Sequence, residues 1–110
     1  MPYYLVQASY SNESIAAMLK KPEDRAKAVK AAVEKIGGKL HGFYHCFGDY
    51  DVVAIFEVPD NVTMVAISMA VAASGALKSF KTTVLIPSSD AAQAMRKAGE
   101  IAKAYRPPGK

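Results

Sequence analysis

The sequence is poor in cysteine and has no tryptophan. The one cysteine, Cys46, cannot form an internal disulfide and has no second cysteine with which to build a zinc site. Such usage is typical of proteins from a reducing compartment. The N-terminus also lacks a basic segment followed by an apolar stretch and a cleavage site, so we expect a cytoplasmic protein.

Long hydrophobic runs are absent as well. The longest apolar stretch, residues 62–76, is interrupted by Thr63, Ser68, Ser74 and Gly75. It is also shorter than the roughly 20 residues that a helix needs to cross a bilayer. We therefore expect no membrane span.

Neither charge nor low complexity dominates the chain. Of its 110 residues, 51% are hydrophobic and 22% are charged, which is enough apolar material for one core and one domain. We place that domain at residues 1–105 and expect residues 106–110, rich in proline and basic residues, to form a flexible tail. The net charge is +4, but acidic residues are interspersed with the basic ones, as on solvated helix faces. A nucleic-acid partner is therefore not expected.

The pattern of apolar residues predicts alternating strands and helices. β-branched and aromatic residues predict strands, proline and acidic residues predict helix starts, and glycine predicts helix ends. The resulting elements are a strand at 3–10, a helical region at 15–36 that restarts at Pro22, strands at 39–47 and 51–58, a helix at 62–73, a strand at 77–86 and a helix from 88 to about 105. This βαββαβ order with a C-terminal helix predicts an α+β, ferredoxin-like domain with an antiparallel sheet covered by helices on one face.

Neither face of the predicted hairpin is plainly polar. A two-residue turn at Gly48 and Asp49 pairs Phe43 with Ala54, His45 with Val52 and His41 with Phe56. One face then carries Phe43, Phe47, Val52, Ala54 and Phe56, and the other carries Tyr44, Cys46, Asp51, Val53, Ile55 and Glu57. A half-exposed antiparallel sheet normally alternates apolar and polar residues. We assign the first face to the helices and the second to an interior between two copies of the chain, because one chain has helices for only one face. A three-residue turn would reverse this assignment.

The hairpin also resembles a known family. Residues 43–53 and 56–60, with Gly37 to Leu40 before them, are similar to the GYD family of small bacterial and archaeal proteins. The family motif carries over to Gly48, Tyr50 and Asp51, and the likeness covers most of residues 3–87. The resemblance implies a dimeric α/β barrel, a class that includes small monooxygenases, haem-degrading proteins and ligand-sensing modules. It implies no particular chemistry, because the role of the GYD family is not established.

The candidate site residues come from the hairpin. We predict Tyr44, Asp51 and Glu57 as catalytic residues, since a carboxylate in an apolar chamber has a raised pKa and can transfer protons near neutral pH. The predicted ligand-binding residues are Tyr44, Cys46, Tyr50, Val53 and Ile55. Simpler roles remain open: Asp51 can hold the turn, and Tyr44 and Glu57 can form interface hydrogen bonds.

No cofactor or metal is expected. His41 and His45 are separated by four residues of strand, or about 13 Å, and cannot share a metal ion. The chain has no phosphate loop, dinucleotide fingerprint or Ser/His/Asp signature. The strand at 51–58 is acidic at both ends and lacks the basic and glycine residues of an RNA-recognition domain.

Two functions fit these features. The first is a homo-oligomeric protein with an apolar chamber, either between two sheets or between the sheet and the helices. It binds a small apolar or aromatic molecule there, either as a cofactor-free enzyme or as a binder without chemistry. The second is a regulatory or structural assembly module without catalytic activity. The helix at 62–73 is apolar around much of its circumference, which favours an additional contact between copies.

Overall fold

The computed structural model describes residues 1–110 and contains a four-stranded antiparallel sheet with four helices. The order of the strands is β2-β3-β1-β4. The elements are β1 (Tyr3–Tyr10), α1 (Asn12–Lys20), α2 (Arg25–Lys35), β2 (Lys39–His45), β3 (Val52–Glu57), α3 (Asn61–Ala73), β4 (Leu77–Leu85) and α4 (Ser88–Ala104). This arrangement confirms the predicted α+β, ferredoxin-like architecture.

Side-chain caps mark the starts of α1, α2 and α3, whereas α4 begins after Pro87 without one. Pro22 lies in the gap between α1 and α2, and α2 begins only after Asp24, whose side chain accepts a hydrogen bond from the backbone of Ala26. In the same way, Asp60 accepts hydrogen bonds from the backbone and side chain of Thr63 at the start of α3. These two hydrogen bonds lower the pKa of Asp60.

The core lies between the sheet and the helices. Alternate residues of β1 and β3 are buried on this face, where they meet Val33 of α2 and Met64 of α3. From β3 the buried residues are Val52, Ala54 and Phe56, which confirms the face that the sequence assigned to the helices. The partly buried Phe43 of β2 packs on the same side.

The β2–β3 register is confirmed next to the turn and wrong at the turn itself. Phe43 pairs with Ala54 and His45 with Val52, as predicted, and the Cys46 N–H donates to the Asp51 carbonyl at 2.8 Å. Phe47 was assigned to the helix-covered face, but it is 99% exposed. The reason is that the chain leaves the strand ladder after His45 and turns through a wider loop.

A bulge at His41 changes the other end of this hairpin. Leu40 pairs with Phe56 and Gly42 with Ile55, so His41 has no partner on β3. The predicted pairing of His41 with Phe56 is therefore wrong. The extra residue turns Leu40 towards the core and moves His41 to the opposite face of the sheet, away from His45.

Helix α4 extends away from the rest of the chain. None of its residues is buried, and it has little contact with the sheet or the other helices. The molecule measures 62 × 33 × 23 Å and its radius of gyration is 18.1 Å, whereas a compact chain of this length has a radius of about 13 Å. No helix is both long and apolar enough to cross a membrane.

Candidate functional site

An apolar cavity of about 280 Å³ lies between the sheet and helices α2 and α3. The floor consists of side chains from the helix-facing side of the sheet, and the walls come from the two helices. Residues that line it include Val6, Ala8, Val52, Ala54 and Phe56 from the sheet and Val29, Val33, Ile36, Ile67 and Val71 from the helices. Arg25 is the one charged residue in the lining.

The cavity results from small side chains beneath two separated helices. Helix α2 packs at the β2 edge of the sheet and α3 at the β4 edge, so the central strands β1 and β3 are left partly uncovered. Below the gap, Ala8 and Ala54 contribute only methyl groups, as do Ala28 and Ala32 from α2. The space is therefore a consequence of the side-chain volumes and of where the helices lie.

Two polar side chains lie at one end of this cavity. Arg25 is the first residue of α2 and Tyr10 the last of β1. Burial raises the pKa of the Tyr10 hydroxyl, and the Arg25 guanidinium beside it partly offsets this rise. Arg25 Nη1 lies 2.8 Å from Glu23 Oε1, and the Tyr10 ring stacks on His45 at 6.3 Å between centroids. This end can therefore donate hydrogen bonds to an acceptor, while the remainder of the cavity is apolar.

Asp51 lies nearby but its carboxylate is already engaged. Asp51 Oδ2 accepts the Tyr10 N–H at 3.0 Å, and the Asp51 N–H donates to the Ala8 carbonyl at 2.9 Å. Asp51 thus connects the hairpin loop to β1. The side chain accepts from β1 rather than from the backbone donors of the turn, and its two predicted roles stay predictions.

The opposite face of the sheet carries a histidine–carboxylate pair. His41 Nε2 lies 2.7 Å from Glu57 Oε1, and the ring of Tyr3 stacks on His41 at 5.3 Å. The hydrogen bond from His41 lowers the pKa of Glu57, with smaller contributions from the positive charges of His41 and Lys39. In the single chain this shift is opposite in direction to the rise expected for Glu57 in an apolar chamber.

The predicted ligand residues do not line the cavity. Tyr44, Val53 and Ile55 lie on the same open sheet face as Glu57, where the Tyr44 ring covers Gly42. Cys46 and Tyr50 lie in the hairpin loop, where the Cys46 thiol donates to the Tyr50 carbonyl at 3.2 Å. These residues therefore divide between the open sheet face and the loop, and their roles stay predictions.

The sequence interpretation did not single out Arg25 or Tyr10. Arg25 was one of several basic residues on the first helical region, and Tyr10 was a strand-end aromatic. The sequence could have indicated this pair through the positions of the two residues. Tyr10 ends a strand, Arg25 begins a helix that covers the sheet, and such a strand end and helix start meet at the same end of the sheet.

No three histidine, cysteine or acidic side chains lie close enough together to hold a metal ion.

The antiparallel sheet, the helices on one face and the apolar cavity between them define a ferredoxin-like α+β protein. The chain belongs to the GYD domain family, whose pattern it matches over residues 4–95. The match confirms the resemblance seen in the hairpin and extends into α4. No curated protein matches the chain.

Proposed function

We propose that this protein binds a small apolar or aromatic molecule and that it does so as a homo-oligomer. The observation that carries the first part is the cavity of about 280 Å³ between the sheet and helices α2 and α3. Ligand sites are concave, mostly apolar and supplied with a few polar groups that orient the ligand. Tyr10 and Arg25 are such groups here.

The size of the cavity limits the ligand. Pockets for drug-sized molecules measure about 300–1,000 Å³, so a volume of about 280 Å³ suits a smaller molecule. A ligand with one or two aromatic rings, or an aliphatic chain of similar volume, fits this limit. Larger polycyclic compounds do not.

The proposal of a homo-oligomer is supported by the extent of the surface. The chain exposes 7951 Å², whereas a compact monomer of its mass exposes about 5,900 Å². The excess on one chain, about 2,000 Å², is larger than the roughly 800 Å² that each partner buries in an interface of standard size. A second copy is the partner that best fits this excess, because the exposed apolar residues occupy several elements of one small chain.

Three surfaces contribute to this excess. The open sheet face presents Val53 and Ile55, and a sheet face can pack on its own copy across a two-fold axis. Helix α3 exposes Val62, Val65 and Met69, which agrees with the contact expected from its apolar circumference. Helix α4 exposes Met95 and Ile101. An assembly module that binds no ligand would use the same three surfaces.

Catalysis is a second candidate, favoured by the His41–Glu57 pair. In this proposal Glu57 accepts or donates a proton, His41 is its hydrogen-bond partner, and the nearby Tyr44 contacts the substrate. The 2.7 Å contact and the low exposure of the Glu57 side chain, 14%, support the assignment. Packing of a second sheet over this face would exclude water and give the pair the apolar setting that proton transfer requires.

The binding of 2-naphthalenemethanol, a neutral two-ring probe, tests the ligand proposal. We expect saturable binding of one probe per chain, followed by the fluorescence of the naphthalene ring. Ala28→Leu on α2 adds volume to the cavity wall and should weaken binding at least tenfold. Ala54→Leu, which fills the floor, should do the same.

The control for these variants is Ala102→Leu on the exposed surface of α4, which should bind the probe as the unchanged protein does. Absence of saturable binding to the folded protein would contradict the ligand proposal and leave the assembly module as the better function.

A further inference from the structure

We infer that the molecule bound in the cavity is an apolar or aromatic monoanion, whose carboxylate is held by Arg25 and by the hydroxyl of Tyr10. This inference rests on the proposed function, because it requires that the cavity binds a ligand. It adds the chemical class of that ligand and the residues that select it.

The charge in the cavity lining has one sign. Arg25 is the one charged residue that lines the cavity, and no acidic side chain does so. A guanidinium has five N–H donors arranged to bind a carboxylate through two parallel hydrogen bonds. The contact with Glu23 through Nη1 is the one ion pair of Arg25, which leaves donors for a second carboxylate.

Tyr10 provides a second donor at the same end of the cavity. Its side chain is buried, only 8% of the residue is exposed, and the ring is part of the lining. Burial raises its pKa, so the hydroxyl is protonated at neutral pH and can donate a hydrogen bond. Arg25 and Tyr10 together thus provide donors from two elements to one acceptor.

Two acidic residues, Asp51 and Glu23, lie near this end of the cavity. Asp51 is near Tyr10, but it does not line the cavity and its carboxylate accepts the backbone N–H of Tyr10. Glu23 lies on the exposed segment before α2, and its pair with Arg25 is a surface ion pair of the kind that contributes little free energy. A ligand carboxylate can therefore displace or join Glu23 at small cost.

The remaining lining is suited to the apolar part of such a ligand. Beyond Arg25 and Tyr10, every lining residue is alanine, valine, isoleucine, leucine or phenylalanine. These side chains offer no hydrogen bond to a second polar group. A sugar, a nucleotide or a dicarboxylate would leave polar groups unpaired, whereas an aromatic or aliphatic monocarboxylate would not.

The test compares two probes of equal ring size, 2-naphthoate and 2-naphthalenemethanol. The full chain should bind 2-naphthoate at least tenfold more tightly at neutral pH and low salt, because the charge-assisted hydrogen bonds are made by the carboxylate alone. Arg25→Gln should remove this preference while binding of the neutral probe changes less than about threefold. Tyr10→Phe, which keeps the ring, should reduce the preference in part.

Two further variants test whether the preference for 2-naphthoate depends on the ion pair of Arg25 or on the general positive charge of α2. Glu23→Gln removes the competing carboxylate and should strengthen binding of 2-naphthoate without affecting the neutral probe. Lys35→Gln removes a positive charge from the other end of α2 and should leave the preference unchanged. If Lys35→Gln lowered the preference as much as Arg25→Gln, a general charge effect would explain the data and the inference would be wrong.

The remaining outcomes separate this inference from the proposed function. Equal binding of both probes would refute the anionic ligand and keep the apolar ligand. Binding of neither probe would refute both. In the last outcome, α4 of another copy fills the cavity. Neither probe would then bind until Met95→Glu and Ile101→Glu released that helix. This result would also contradict both the anionic ligand and the apolar ligand.

Discussion

The His41 imidazole and the Glu57 carboxylate are in hydrogen-bond contact across β2 and β3, 2.7 Å apart, although their backbones are not paired. On β2 the backbone partner of Glu57 is Lys39, and the bulge between Leu40 and Gly42 brings His41 onto the face of Glu57. One extra residue in β2 therefore creates the only side-chain ion pair that joins two strands. It also places that pair on the open face of the sheet.

This pair should make the stability of the fold depend on pH. The pKa of Glu57 in the folded chain is below its ordinary value, because the carboxylate gains a hydrogen bond from His41. A carboxylate with a lowered pKa stabilises the fold above its unfolded pKa, and this contribution is lost as the pH falls through the folded value. Glu57→Gln should therefore destabilise the protein at neutral pH and have a smaller effect in acid, as measured by urea unfolding at several pH values.

Glu34→Gln is the matched control for this series. Glu34 forms an exposed pair with Lys30 at 3.8 Å on α2, and the removal of such a pair should change stability little at any pH. Equal pH dependence in the two variants would contradict the role of the His41–Glu57 contact.

Much of the fold follows from periodicity that a sequence can display. A period of two separates Val52, Ala54 and Phe56 from Val53, Ile55 and Glu57, and the structure buries the first set, as the face assignment from the two-residue turn predicts. The register from Phe43 to Cys46 follows from the short connection. Local patterns of this kind depend on neighbouring residues alone.

An apolar chamber was predicted, but its lining residues and the bulge depend on tertiary contacts and were not. Tyr10 and Arg25 are 15 positions apart, and the path through α1 determines that they meet. His41 carries no local signal for a bulge, because the bulge follows from the need to place both Leu40 and Phe43 against the core. The loop at Phe47 likewise depends on Asp51, which binds β1 rather than closing a tight turn.

Asp51 should matter for stability rather than for ligand binding. Asp51→Ala removes the acceptor of the Tyr10 N–H, a hydrogen bond to a charged group, and should lower the free energy of unfolding by about 1.5–3 kcal/mol. Affinity for 2-naphthalenemethanol should change little at temperatures where the variant is folded. Asp49→Ala in the same loop is the control, because Ser9 contacts its backbone carbonyl and not its side chain. A variant that folded with normal stability but lost a catalysed reaction would instead support the catalytic role.

Two glycines should respond in opposite directions to alanine. At Gly38 a methyl group would lie 2.8 Å from the Glu57 carbonyl oxygen and 2.9 Å from Val33 Cγ1, so Gly38→Ala should cost about 1–3 kcal/mol through overpacking. At Gly99, in exposed α4, nothing lies within 4 Å, and alanine should favour the helix by about 0.5–1 kcal/mol. Thermal unfolding followed by circular dichroism measures the Gly38 effect directly. The Gly99 effect should appear as added helical signal if α4 unfolds separately.

The open sheet face should determine the oligomeric state. Ile55→Asp places a charge at the centre of that face, whereas the backbone hydrogen bonds and the helix-facing core stay unchanged. We expect the unchanged protein to sediment as an oligomer at micromolar concentration, and Ile55→Asp to shift it towards the single chain, because an unpaired charge cannot be buried in the interface without a large desolvation cost. Leu19→Asp on α1, where leucine is 77% exposed, should sediment as the unchanged protein does. A stable single chain in the unchanged protein would contradict the proposed assembly, since the exposed area of 7951 Å² would then have no partner.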